Sequence, residues 1–137
     1  YELMYVIADE RDVVKLRTNY RKDTVYLYPV ITTKEKMQEL FFFFLNRTNT
    51  LRENPEFYNT LTSTCTTNIV KHVNRISPKR VPWDVRLLLP ENSDALAYEL
   101  GLIDTSIPLE ELRQRHKINE KAELYADSPD FSKMIRE

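Results

Sequence analysis

Through residue 31 the hydrophobic and polar positions alternate along the chain. Residues 2–8 alternate weakly and are rich in Tyr, Val and Ile. Residues 13–19 set Val14, Leu16 and Thr18 against Lys15 and Arg17. Residues 24–31 set Val25, Leu27 and Pro29 against Tyr26, Tyr28 and Val30. A period near two predicts a strand in each segment. The polar runs Asp9–Asp12 and Tyr20–Asp23 read as turns, so the three strands are expected to form an antiparallel meander. Pro29 has no N–H to donate, which places that end at an edge or a strand terminus.

Beyond Ile31 the period lengthens. Thr32 and Glu35 have the spacing of a capping box. After them, Met37, Leu40, Phe41, Phe44, Leu45, Thr48 and Leu51 share one helical face. Phe41–Phe44 makes this helix apolar on more than one side. That predicts a central core helix, or a helix whose Phe42 or Phe43 lines an apolar groove. Past Pro55, a second amphipathic helix is expected from about Thr64 to Ile76, ended by Pro78. Its Ile69, Val70, Val73 and Ile76 should face inward, and Lys71, Asn74 and Arg75 should face water. An irregular, proline-broken connection follows, with Trp83–Arg86 and the apolar triplet Leu87–Leu89. Ser93 should cap a short helix through Leu100, terminated by Gly101. Ser106 and Pro108 open a helix from Leu109 to about His116. Residues 118–126 and a segment from Ser128 to Ile135 read as the last helices. Three strands followed by five or six helices argue for an α+β fold, with the second long helix packed on the sheet.

Composition narrows the function classes. The chain has 137 residues, 42% of them apolar and 30% charged, which suits a single globular domain over 1–137. A formal net charge of -1 gives no electrostatic case for a nucleic-acid partner. Gly101 is the only glycine, so neither familiar Gly-rich phosphate loop can form. No apolar run reaches the roughly 18 residues that span a bilayer. No basic and apolar leader is present, and the chain starts inside the first expected strand. It therefore reads as a fragment of a longer protein, with any leader or membrane anchor upstream.

Cys65 is the only cysteine, so no internal disulfide exists. It follows the hydroxyl run Thr62, Ser63 and Thr64 and opens a helix. At that place the macrodipole and the unpaired N–H groups favour thiolate over thiol. The backbone N–H of Cys65 or Thr66 could face a developing oxyanion. The same position also suits a small packed hydrophobe, and the hydroxyls suit plain capping. A base is harder to find. His72 lies two helical turns on, about 10 Å away along the axis, too far to take the thiol proton directly or to share a metal ion with Cys65. It is expected to make a structural hydrogen bond. His116 sits among Arg113, Arg115 and Lys117, as on a solvated cationic face. Asn68, one turn after Cys65, could touch a substrate or bond the backbone. Neither a cofactor nor a metal is called for.

The runs LRTNYR, VYLYPV, FYNTLTSTCTTNIVKHVNRI, VPWDVRLLLP, SDALAYELGLID, LRQRHKINEKA and DFSKMIR together resemble the Lnb N-terminal periplasmic domain family. The core YNTLTSTCTTN is the specific part, and the resemblance covers nearly the whole chain. It implies a bacterial cell-envelope location on the periplasmic side and a permuted papain-like thiol fold. It also implies lipoprotein N-acylation or a related acyl transfer, with a lipid or lipoprotein substrate. By motif, Cys65 carries over as the nucleophile, with Tyr58, Asn59, Thr64, Thr66 and Asn68 as its neighbours. Two departures stand out. No histidine precedes Cys65, where the family places its base. Glu91-Asn92 occupies a turn where a glycine is expected.

Three functions follow as expectations: a thiol acyltransferase, a non-catalytic interaction or scaffold module, and a papain-like amidase or peptidase. An exposed Cys65 favours the enzymes, and a walled-in one favours the scaffold. Aliphatic and aromatic groove walls favour a lipid chain, whereas carboxylates and amides favour a peptide.

Overall fold

The computed structural model describes residues 1–59, 64–76, 80–83 and 92–137. Thr62, Ser63, Pro78, the Asp84–Arg86 part of the tryptophan motif, Leu87–Leu89 and Glu91 lie outside the described residues. Among those described, the regular elements are helical: α1 (Glu10–Lys15) running into a π-helical turn (Leu16–Tyr20), α2 (Lys34–Glu53), α3 (Cys65–Ile76), α4 (Ser93–Glu99), α5 (Leu109–His116), α6 (Asn119–Leu124) and α7 (Phe131–Met134). They gather into two compact units. One holds Tyr1–Tyr5 and Val30–Ile103, the other Val6–Pro29 and Asp104–Glu137.

The three-stranded meander, and with it the α+β class, is not found. Residues 13–19 are helical. The charged run read as a turn is a helix start, in which the Asp9 carboxylate accepts the Arg11 N–H at 2.8 Å. Glu10 and Asp12 in the first turn and Lys15 in the last complement the helix dipole. Val14 and Thr18, four apart, turn inward, while Leu16 between them is 47% exposed. Strand alternation would have put all three on one side. The π turn closes with Arg21 N–H on the Leu16 carbonyl at 3.1 Å and Asp23 N–H on the Arg17 carbonyl at 2.9 Å. Lys22 takes a left-handed φ of 58° between them.

Residues 24–29 are extended but do not pair with a neighbouring strand. Ile118 N–H reaches the Val25 carbonyl at 3.0 Å and Leu27 N–H the His116 carbonyl at 2.9 Å. The Asn119 side chain brackets the same segment, accepting from Val25 N–H at 2.9 Å and donating to the Asp23 carbonyl at 2.8 Å. Val14, Val25, Leu27 and Tyr125 then pack on a core of Ile118, Ala122, Phe131 and Ile135.

In the other unit the first residues are extended against 56–58. Leu3 N–H bonds the Glu56 carbonyl at 2.7 Å, and Tyr58 N–H bonds the Tyr1 carbonyl at 2.8 Å. This is an isolated antiparallel bridge between Glu2 and Phe57, too short for a strand. The cap of α2 is Thr33, which accepts the Lys36 N–H at 3.3 Å. The helix is not a central core helix. Leu51 alone in it is buried, Leu40, Phe43 and Phe44 are half-buried, and Phe41 and Phe42 are 59% and 64% exposed. Four consecutive residues at about 100° spacing point around most of the helix, and α3 covers only one side. The Arg75 guanidinium covers the Phe43 ring at 5.2 Å from its centroid.

Gly101 terminates α4 as expected, with φ 68° and Leu102 N–H on the Ala97 carbonyl at 2.9 Å. Val70, Val73 and Leu100 pack on buried Val81 and Leu96. Asn74 does not face water. Its amide clamps the backbone of Val81, accepting at 2.6 Å and donating at 3.0 Å.

Candidate functional site

The helix carrying the thiol starts where the sequence places it, and Thr64 and Thr67 fix the start. The Thr64 hydroxyl accepts the Thr67 N–H at 3.1 Å, and the Thr67 hydroxyl accepts the Thr64 N–H at 2.8 Å. This is a capping box with threonine in the place of the usual Glu or Gln. Cys65 is therefore the first helical residue. The N–H groups of Cys65 and Thr66 stand outside the helical ladder, which begins with Asn68 N–H on the Thr64 carbonyl at 3.1 Å. The thiol is exposed. Its sulfur lies 3.8 Å from the Thr66 hydroxyl oxygen.

Cys65, Asn68 and Ile69 form one wall of a groove of about 520 Å³. The residues 1–5, Phe44 and Tyr58 form the rest. Among the described residues, the carboxylate and amide side chains on it are Glu2 and Asn68. Ile69, expected inside, is 47% exposed because it faces this groove. The Asn68 amide is buried and donates to the Thr64 carbonyl at 2.9 Å. Tyr58 joins the groove, and Asn59, though exposed, lies beyond the groove-lining residues. Phe44, rather than Phe42 or Phe43, is the α2 aromatic that lines it.

α3 buries polar side chains. Thr64, Thr67, Asn68 and His72 are all buried, His72 at 2% exposure. The Tyr5 hydroxyl meets His72 Nε2 at 3.1 Å. The Phe44 ring packs on both, 4.7 Å from the imidazole centroid and 5.6 Å from the phenol ring. His72 Nδ1 is buried and has no hydrogen-bond partner among the described residues. Burial holds the imidazole pKa below its ordinary value, and the Arg75, Arg47 and Lys71 charges add to this. Burial likewise raises the Tyr5 pKa, while the positive charge of Arg47 pulls the other way. Arg47 is itself held by Glu56 through two hydrogen bonds of 2.7 and 2.6 Å, which lower the Glu56 pKa.

His72 thus makes the expected structural hydrogen bond. His116 belongs to the other unit, with Nδ1 3.0 Å from the Leu27 carbonyl oxygen. Sequence reasoning missed Tyr5 and Arg47 beside this site, while the Phe41–Phe44 run it expected to border a groove contributes Phe44. Tyr5 and His72 are 67 positions apart, and no local pattern links them. Arg47 sits in the polar stretch that follows Leu45 and carried no local signal.

A model of the family described as the Lnb N-terminal periplasmic domain matches residues 1–91. No curated protein and no solved structure matches the chain.

Proposed function

The chain belongs to the Lnb N-terminal periplasmic domain family, and we propose that it acts by acyl transfer through Cys65. The family name marks a periplasmic domain, and no helix among the described residues is long and apolar enough to cross a membrane. The observation that carries the reading is the exposed thiol on the wall of a groove lined chiefly by aromatic and aliphatic side chains.

The groove has the lining that an acyl chain requires, since burying its methylenes there removes apolar surface from water. The Cys65 thiolate attacks the acyl ester carbonyl. A C–S bond forms, the ester C–O bond breaks, and the alcohol leaves with a proton. The N–H groups of Cys65 and Thr66, at the first turn of α3, would meet the oxyanion formed on the way. In the second half, an amine attacks the thioester. A C–N bond forms, the C–S bond breaks, and the amine proton returns to sulfur. A lipoprotein amino terminus would be one such amine.

A peptidase or amidase would share the thiol but would be better served by a more polar lining than the described groove residues give. A scaffold module would have its thiol walled in, and Cys65 is exposed. The test is intact-mass analysis of the full-length protein incubated with a long-chain acyl ester. One acyl adduct is expected on the wild type. Cys65→Ser should carry none while keeping its unfolding free energy within about 1–2 kcal/mol. An adduct that survives in Cys65→Ser, or none on the wild type, ends the reading.

A further inference from the structure

The unit made of Val6–Pro29 and Asp104–Glu137 does not contain Cys65, yet it has a cavity of its own, of about 460 Å³. Four basic side chains line it: Arg115 and His116 from the last turn of α5, Lys121 from α6 and Arg136 just past α7. Among the described residues the one acidic side chain on it is Glu137, whose carboxylate lies 3.5 Å from the Lys133 ammonium. Leu27, Tyr28 and Ile118 belong to the rest of the lining. We propose that this cavity binds a phosphate ester, with the phosphate among the basic side chains and the carbon portion against Leu27, Tyr28 and Ile118.

Cations brought to one cavity from three places in the chain repel one another, and an anion among them removes that cost. Both arginines are held by carboxylates that do not line the cavity. Glu111 accepts from Arg115 at 2.5 Å, and Glu10 accepts from both terminal nitrogens of Arg136 at 2.9 and 2.6 Å. A guanidinium has five N–H donors, so these bonds orient it and leave donors for a ligand. Lys121 is half-buried and forms no ion pair among the described residues.

His116 is not on the solvated cationic face that its sequence neighbours suggest. It is half-buried, its ring is 5.4 Å from the Tyr28 ring, and its Nδ1 meets the Leu27 carbonyl oxygen at 3.0 Å. The carbonyl can only accept, so Nδ1 carries the hydrogen and Nε2 is left for a ligand. The His116 carbonyl, at the negative end of α5, is itself tied to Leu27 N–H at 2.9 Å. A phosphate brings three acceptor oxygens and nearly two charges at neutral pH, which suits donors arriving from three elements. A planar carboxylate offers two oxygens and one charge. The volume is in the range of small-molecule sites.

The test is calorimetric titration of the full-length protein with glycerol 3-phosphate, for which binding at one site is expected. Lys121→Gln should weaken it about tenfold, and Arg115→Gln should do the same. Lys117→Gln removes an exposed neighbouring cation that does not line the cavity, and it should leave the affinity unchanged. Thermal melts check that each variant folds. Sedimentation with phosphatidylglycerol vesicles separates the two sources of the phosphate. Pelleting that glycerol 3-phosphate reverses assigns a lipid headgroup, and calorimetric binding without pelleting assigns a soluble ester. The proposal is overturned by the absence of both, by affinities unchanged in Lys121→Gln and Arg115→Gln, by an equal loss in Lys117→Gln, or by equally tight binding of succinate.

Discussion

Phe131 and His72 are buried to nearly the same extent, at 1% and 2% exposure, but for opposite reasons. Around Phe131 everything is apolar: Ile118, Ala122 and Ile135 fill a small core, with Val14, Val25 and Leu27 packed on it. Around His72 the buried face of α3 is a row of hydrogen-bonding groups, Thr64, Thr67 and Asn68. The first arrangement is what burial alone selects. The second gives up hydrophobic stabilisation and needs a compensating hydrogen bond for each polar atom. Among the described residues one atom, His72 Nδ1, has no bond, a cost that the apolar core around Phe131 does not carry. The difference between the two regions therefore separates a core built for packing from a face that borders the thiol groove.

Truncating each side in turn sharpens that contrast. The largest effect is expected from Phe131→Ala, which opens a cavity in the apolar core. It should lower the unfolding free energy by about 3–5 kcal/mol in denaturant titrations. A loss below about 1 kcal/mol would mean that this core collapses freely and is no better packed than the polar face. Thr64→Ala removes one side of the capping box, and about 1 kcal/mol should be lost by the same measurement. Iodoacetamide labelling of Cys65 should slow as well, since the N-terminus of α3 frays.

The smallest effect is a pH dependence. His72 binds its proton more weakly when folded than when unfolded, because burial lowers its pKa. Its stabilising contribution is present in full above the unfolded value of about 6.5 and is lost as pH falls through the lower folded value. Thermal melts followed from pH about 7.5 down to about 5 should show a declining midpoint, and His72→Gln should flatten that decline. A decline equally steep in the variant would assign it to other groups.

What could be read from the sequence depended on how local the cause was. The start of α3 at Cys65, the Gly101 terminator and the span of α5 were all legible, since caps and terminators act within about one turn. Residues 2–31 were misread because a short run such as Val14, Leu16 and Thr18 fits a period of two nearly as well as 3.6. Asp9 with Glu10 and Asp12 was the helix-start signal that could have decided it. The exposure of Phe41 and Phe42 was not legible, because it depends on what the rest of the unit leaves uncovered. Excluding His72 as a direct base was sound arithmetic on one helix. Its Tyr5 contact arises only from tertiary structure.

The division of the chain between its two units also affects the order in which it can fold. One unit is completed by residues 104–137 closing on 6–29, so its halves are synthesised with Val30–Ile103 of the other unit between them. As the polypeptide emerges, Tyr5 can find His72 long before Val25 can find Ile118. Until residues 118–135 are made, Val14, Val25 and Leu27 lack the core they pack on, and apolar surface left uncovered in this way invites chaperone binding or aggregation. The family match to residues 1–91 ends before Ile118, Phe131 and Ile135, so a clone cut at that boundary would keep Val14, Val25 and Leu27 without the residues that cover them.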